Sequence, residues 1–311
     1  MSYDLIALGD LVADIVVPIE KLPLEAQMHQ LADYIRVEVG GSGNTLIMGE
    51  RLGLKTKTFG SIGDDAFGPL ALKMLAAEGT DVSNIMQIPD STTTTSLVLV
   101  DKAAQHVFVG RFGTGKPADF DPAWESDIAQ AGSIFVSGYC LREDGSFSHV
   151  GLMRCLEVAQ DASVPHFFDL GPAYAMASRD HVKNVLKYTT VFLATEEEIA
   201  QWTGVADPST AAHTILTQGP SMVITKLGAA GCRIMTADDD IHCPGFAVPV
   251  RDTAGAGDAF AAGCIYAHLH NYSLEQMGTL ANAVGAASVA CLGTGTSLPF
   301  KKDIEVILQT E

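Results

Sequence analysis

The chain has 311 residues, 47% hydrophobic and 18% charged, which is enough apolar content for one large core and shows no bias towards disorder. Nineteen Lys and Arg against 37 Asp and Glu give a formal net charge of −18. That balance argues against nucleic acid or an anionic membrane surface as a main partner, because nonspecific binding to either relies on clustered cations. Any phosphate site must therefore rest on backbone amides, metal ions and a few local cations.

The first 18 residues carry Asp4, Asp10 and Asp14 and no base, unlike a secretory signal. No uninterrupted apolar run approaches the ~20 residues of a membrane span. A cytoplasmic protein is expected. The six cysteines are scattered without zinc spacing and read as buried free thiols.

DLIALGD is a short apolar run ended by Gly9 and reads as a buried first strand. Asp14 is expected just past its end, where open α/β sheets gather ligands; it can hold sugar hydroxyls or be an ordinary solvated turn acid. From Ile15 to Val39 the pattern (DIVVPI, then YIRVEV) is β-rich and suggests a small insertion over about 14–39. In VGGSGNT, the glycines Gly40, Gly41 and Gly43 allow close backbone approach, and Asn44 can cap the following helix (LIMGERLG) or bond a ligand. This is not a dinucleotide fingerprint, because Leu46 stands where the third glycine is needed, and there is no P-loop, since no Gly-Lys-Ser/Thr follows a glycine loop anywhere.

After the strand TKTFGSIG and a helix near Pro69 to Glu78, TTTTSLVLV and HVFVGRFG read as two strands of a second insertion, about 92–112. From about Pro122, strands SIFVSG, HFFDL, TVFLA and SMVITKLG alternate with helices. That alternation predicts a mostly parallel α/β sheet with helices on both faces and a small β lid, in a single domain.

Late in the chain, DTAGAGDAF runs into the apolar segment AAGCIYAHLH. Its small residues and acids describe a turn that opens a helix with bare amides, an anion site in which Asp258 could accept a hydroxyl proton. In its first-turn position the helix dipole is expected to keep Asp258 ionised. The same string is also ordinary helix-start grammar.

GGSGN, then GDDAFG, then VITKLGAAG, then DTAGAGDAF, in this order, resemble the ribokinase-like (PfkB) carbohydrate kinases over essentially the whole chain. The resemblance implies ATP-dependent phosphorylation of a sugar or nucleoside hydroxyl, with magnesium and usually potassium. It implies Asp258 as catalytic base beside an anion hole of Gly255, Ala256 and Gly257, and Asp14, Gly41, Gly43 and Asn44 on the acceptor. Thr225, Lys226, Gly228 and Gly231 match the nucleotide loop; Lys226 can face phosphate or solvent. Asp252 matches the potassium loop, with further carbonyl ligands expected between Ser288 and Ser297. Glu198 matches the acid of the metal-associated N-x-x-E pattern, but Thr195 stands at the Asn position.

The GGSGN loop offers no cationic clamp, which favours a neutral ribose- or fructose-like sugar over a sugar phosphate. A sugar acid (2-keto-3-deoxygluconate-type) reaching Arg111 is an alternative, as is an adenosine-type nucleoside stacked on Tyr34, Phe108 or Phe112. Open lid edges bearing Ile15, Val17, Ile35, Val37 and Val98 predict a homodimer through the lids.

Overall fold

The computed structural model describes residues 2–9, 11–142 and 147–309. The chain begins β1 (Leu5–Leu8), β2 (Leu11–Pro18), β3 (Arg36–Gly41), α1 (Ser42–Leu52), β4 (Thr56–Gly63), α2 (Phe67–Glu78), β5 (Ile85–Ile88), β6 (Thr94–Val100) and β7 (His106–Arg111). It continues α3 (Glu125–Ala129), β8 (Ile134–Ser137), α4 (His149–Asp161), β9 (His166–Asp169), α5 (Arg179–Leu186), β10 (Val191–Thr195), α6 (Glu196–Thr203), α7 (Pro208–Leu216) and β11 (Met222–Lys226). A hairpin of β12 (Cys232–Met235) and β13 (Asp240–Cys243) precedes α8 (Ala256–Leu269), α9 (Leu274–Val289) and α10 (Lys301–Leu308).

Among the described residues, the large sheet has the order β13-β12-β11-β10-β9-β8-β1-β4-β5. It is parallel from β5 to β11, and the terminal hairpin runs antiparallel. Its inner strands are buried on both faces, so apolar residues are continuous along them and successive side chains feed two different cores, whereas the edge strands β5 and β13 are partly exposed. Leu5, Ala7, Phe167, Val191, Leu193 and Ile224 pack with α1, α2, α8, α9 and α10. Ile6, Leu8, Phe168, Phe192, Ala194 and Val223 pack with α3 to α7. The expected fold class is therefore observed, a mostly parallel sheet sandwiched between two helical layers.

A second sheet has the order β3-β2-β6-β7. Strand β2 pairs antiparallel with β3 and parallel with β6, and β7 completes an antiparallel hairpin. Its inner face buries Val16, Val98 and Val100 against Ala254. Val98, expected on an open surface, is thus fully buried.

Two expectations of position change. Asp14 does not sit in a turn after β1; the chain re-enters extended structure at Leu11, and Asp14 lies inside β2 opposite Glu38. Asn44 does not cap α1, which begins earlier than its apolar pattern suggested, with Gly41 as N-cap at φ 58°. This left-handed conformation explains the glycine at that place.

Candidate active site

Three neighbouring parallel strands end in polar residues: β9 in Asp169, β10 in Thr195 and β11 in Lys226. Carboxyl ends of strands are where open α/β sheets bind ligands. Against this edge lie the first turns of α1 and α8, which pack on one another.

Gly255 is the N-cap of α8 at φ 73°, and Asp258 falls in the first turn. The amide of Ala256 makes a long 3.3 Å bond to the Thr253 carbonyl. Among the described residues, the amides of Gly255, Gly257 and Asp258 have no partner, leaving donors aimed out of a helix start.

Asn44 reaches across from α1. Its Oδ1 accepts the Gly295 amide at 2.8 Å, so its Nδ2 must face the other way, where it donates to Asp258 Oδ2 at 2.8 Å. Thr45 Oγ1 donates to the Asp258 carbonyl at 3.3 Å. Asp258 Oδ1 is left without a partner among the described residues.

The loop 293–296 fixes this corner by four successive contacts. Gly293 N donates to Asp252 Oδ2 at 2.9 Å, Thr294 Oγ1 to Asp14 Oδ2 at 3.0 Å, Gly295 N to Asn44 Oδ1, and Thr296 N to Glu38 Oε2 at 2.9 Å. The loop can follow this path because Gly295 adopts φ 58° and passes so close that a Cβ there would lie 2.8 Å from Glu38 Oε2. Gly40 is constrained in the same way, since a Cβ on it would meet Asp14 Oδ2 at 2.2 Å. Gly43 packs where a Cβ would meet Val39.

The electrostatics are those of a site short of cations. Burial pushes Asp258 up to about 7; the Asn44 amide opposes this, the charge of Asp169 adds to it, and Lys226 counters it. Burial thus works against the ionised state expected of an acid in a helix's first turn. Burial likewise raises Asp14 to about 7, with Thr294 opposing and the charges of Asp258, Glu38 and Asp252 adding. Burial also raises Glu198, against Lys226 and with Asp169.

Glu198 is held by a capping box: its Oε2 accepts the Thr195 amide at 2.7 Å, and Thr195 Oγ1 accepts the Glu198 amide at 3.2 Å. The Thr that replaces the family's Asn thus serves as a good N-cap. Lys226, 13% exposed, donates to both oxygens of Asp169 at 2.9 and 2.7 Å. Thr225 is buried behind it, while Gly228 (φ 59°) is exposed and Gly231 (φ 95°) is buried where the loop closes on β13. Asp252 is buried, its Oδ1 accepting the Ala254 amide at 2.9 Å.

The structure therefore brings Asp14, Asn44, Asp252 and Asp258 into one hydrogen-bonded corner and sets Lys226 and Glu198 beside it. Arg111 ends β7 with its side chain exposed, outside this network. Sequence reasoning missed Asp169, Glu38 and Thr294. The signal for Asp169 is an acid closing the apolar run HFFD just before Gly171-Pro172; the repeated Gly-Thr of 293–296 reads in sequence only as a source of carbonyls.

The family model described as pfkB family carbohydrate kinase matches residues 3–301. The ribokinase of Mus musculus is 29% identical over 97% of this chain and 94% of its own length. The nucleoside kinase of Methanothermobacter thermautotrophicus is 26% identical over 95% of this chain and 92% of its own. The structure of Arabidopsis thaliana ribokinase complexed with ribose and ATP superposes with a TM-score of 0.83, covering 100% of both chains at 23% identity. The chain belongs to the pfkB family of carbohydrate kinases.

Proposed function

We propose that this kinase transfers the γ-phosphoryl group of ATP to a hydroxyl of a small neutral sugar, with Asp258 as general base. The observation that carries this reading is the placement of Asp258 at the bare amides of α8, with Asn44 occupying one carboxylate oxygen and leaving Oδ1 open. A carboxyl near 7 suits a base that must take a proton at neutral pH. Asp14 and Asn44 would orient the acceptor, the α8 amides would bind the phosphoryl oxygens, and the exposed loop from Gly228 would run along the nucleotide. The second sheet would act as a lid that excludes water as a competing acceptor.

Neutral sugar is favoured because the charges that act on Asp14 are all acids, so an anionic acceptor would be repelled. Exposed Arg111 leaves a sugar acid as the weaker reading. A nucleoside is the second reading, supported by the methanogen relative and by Phe108, half exposed on β7 as a platform for a base. ATP turnover measured over a panel of neutral sugars, sugar acids and nucleosides tests this. Turnover on a neutral pentose or hexose well above all others is expected, and a best substrate carrying a carboxylate would overturn the acceptor assignment.

The donor set fits two metals. Glu198, held through one oxygen and raised by burial despite the charge of Lys226, keeps an oxygen for a magnesium ion carried on nucleotide phosphates. When bound, magnesium would spread the charge of the phosphoryl oxygens. For potassium, Asp252 lies beside Val289, whose carbonyl accepts the amides of Arg251 and Asp252. The adjacent Ser288 Oγ is buried without a partner among the described residues, an orphaned acceptor that a monovalent cation would satisfy. Work on ATP points to the cytoplasm.

The outer face of the second sheet exposes Val107 and Val109, which alternate with Phe108 along β7, with Ile35 at 68% exposure beside β3. A homodimer through this face would cover them. Light scattering at micromolar concentration should give twice the 32.8 kDa chain mass; a monomer would remove the dimer.

A further inference from the structure

Lys226 stands at the boundary between the sheet edge and the anion site. A Cβ built on Gly257 would lie 3.3 Å from its Nζ, so the ammonium abuts the very turn whose amides are bare. Two of its three N–H donors go to Asp169, and the third has no partner among the described residues. The pair is nearly dry, with side chains 13% and 9% exposed.

Resting on the reading above, we propose that Lys226 is a catalytic residue that passes from Asp169 to the transferring phosphoryl group when ATP enters, and that Asp169 is the positioning residue that holds it until then. An incoming phosphate seated on the amides of 257 and 258 comes within contact of Nζ without movement of the backbone. The ammonium then faces the oxygens on which charge sits during transfer, the place where a preorganised donor acts most strongly. The acceptor oxygen–phosphorus bond forms and the β,γ-bridging P–O bond breaks. The acceptor proton goes to Asp258, and Lys226 neither gains nor loses one.

The acids around Lys226 keep it charged for this task. Burial opposes the charge, but Asp169, Glu198 and Asp258 more than offset it and raise the ammonium above its ordinary value. Conversely, Lys226 lowers Asp258 while Asp169 raises it, so the two partners act on the base with opposite sign.

The test uses Lys226→Met, Asp169→Asn and the double variant in the full chain. Lys226→Met should lower kcat about 10²–10³-fold, the usual cost of one lost transition-state donor, with the acceptor KM little changed. Its affinity for an ATP analogue with a methylene β,γ bridge should fall about tenfold or more, as for a lost charged hydrogen bond, while ADP binding holds. The acid limb of kcat/KM should move to higher pH in Lys226→Met and to lower pH in Asp169→Asn.

A merely structural ion pair predicts otherwise. Removing both partners of a buried pair restores stability, and the double variant would then regain turnover. We expect it to fold well and remain as slow as Lys226→Met. Recovery of turnover in the double variant, or equal weakening of ADP and analogue, overturns the proposal. If the wild-type chain phosphorylates none of the acceptors, the functional reading falls on its own, and the analogue-against-ADP comparison still decides whether Lys226 meets the γ-phosphate.

Discussion

Two largely buried lysines stand at opposite ends of the large sheet and live under opposite conditions. Lys57, near the amino end of β4, reaches Asp127 at 2.7 Å and Asp81 at 3.3 Å and lies 4.8 Å from the centre of the Tyr3 ring. Burial pushes Asp81 up, but the Tyr3 hydroxyl, the donors of Ser83 and Lys57 more than reverse it and hold it well below the usual carboxylate range. At the carboxyl end, Lys226 is shared among Asp169, Glu198 and Asp258, and burial wins at the last two. The acids at one end have donors to spare. Those at the other lack them, a shortage that a cationic or hydroxyl-bearing ligand would fill in the proposed reaction.

The sharpest way to break this comparison is Asp258→Asn. General-base assistance is typically worth about 10²–10⁴-fold, so kcat should fall within that range in a folded protein. Stability should not fall with it. A carboxyl raised in the fold to about 7 from 3.8 contributes stability that is present below the lower value and lost as pH rises through the higher. The wild-type protein should therefore melt lower at pH 8 than at pH 6, and Asp258→Asn should flatten that difference. Turnover above a tenth of wild type on the best substrate, or a steeper fall in melting temperature with pH, would remove Asp258 as the base.

A smaller effect is expected at the amino end. Lys57→Met strands two acids that are about a third exposed, so the loss of stability is discounted for solvent to about 1–3 kcal/mol. Urea unfolding checks this, and turnover per folded molecule should be unchanged. A drop in kcat with stability intact would show that the two ends are coupled.

Much of this was legible in the chain. The parallel core could be read because β8 to β11 are apolar runs punctuated by helices with ordinary starts, as Ser148 and Asp207 cap α4 and α7. The short hairpin of β12 and β13 and the edge strand β5 escaped, since four-residue runs such as CRIM and IMQI carry too little period to register. At the site, Asp258 and Asn44 stand out through glycine-rich strings that announce close backbone approach. Asp169 does not, because its role depends on Lys226, 57 residues later, and sequence spacing says nothing of such a pair. The burial that raises Asp258 is hidden for a related reason: it is a property of the whole fold, which a local string does not carry.

The loop 293–296 also bears on how the protein comes into being. Its bond to Asp14 spans 280 residues, and its four contacts complete the corner that holds Asp252, Asp14, Asn44 and Glu38. Every strand of both sheets has been synthesised by Cys243, about fifty residues earlier in the reading of the message. A nascent chain that stalls in between carries the whole sheet scaffold yet leaves these side chains untied. The corner is thus closed by a loop that joins the chain only after the sheet scaffold is complete, so the scaffold is older on the ribosome than the geometry it serves.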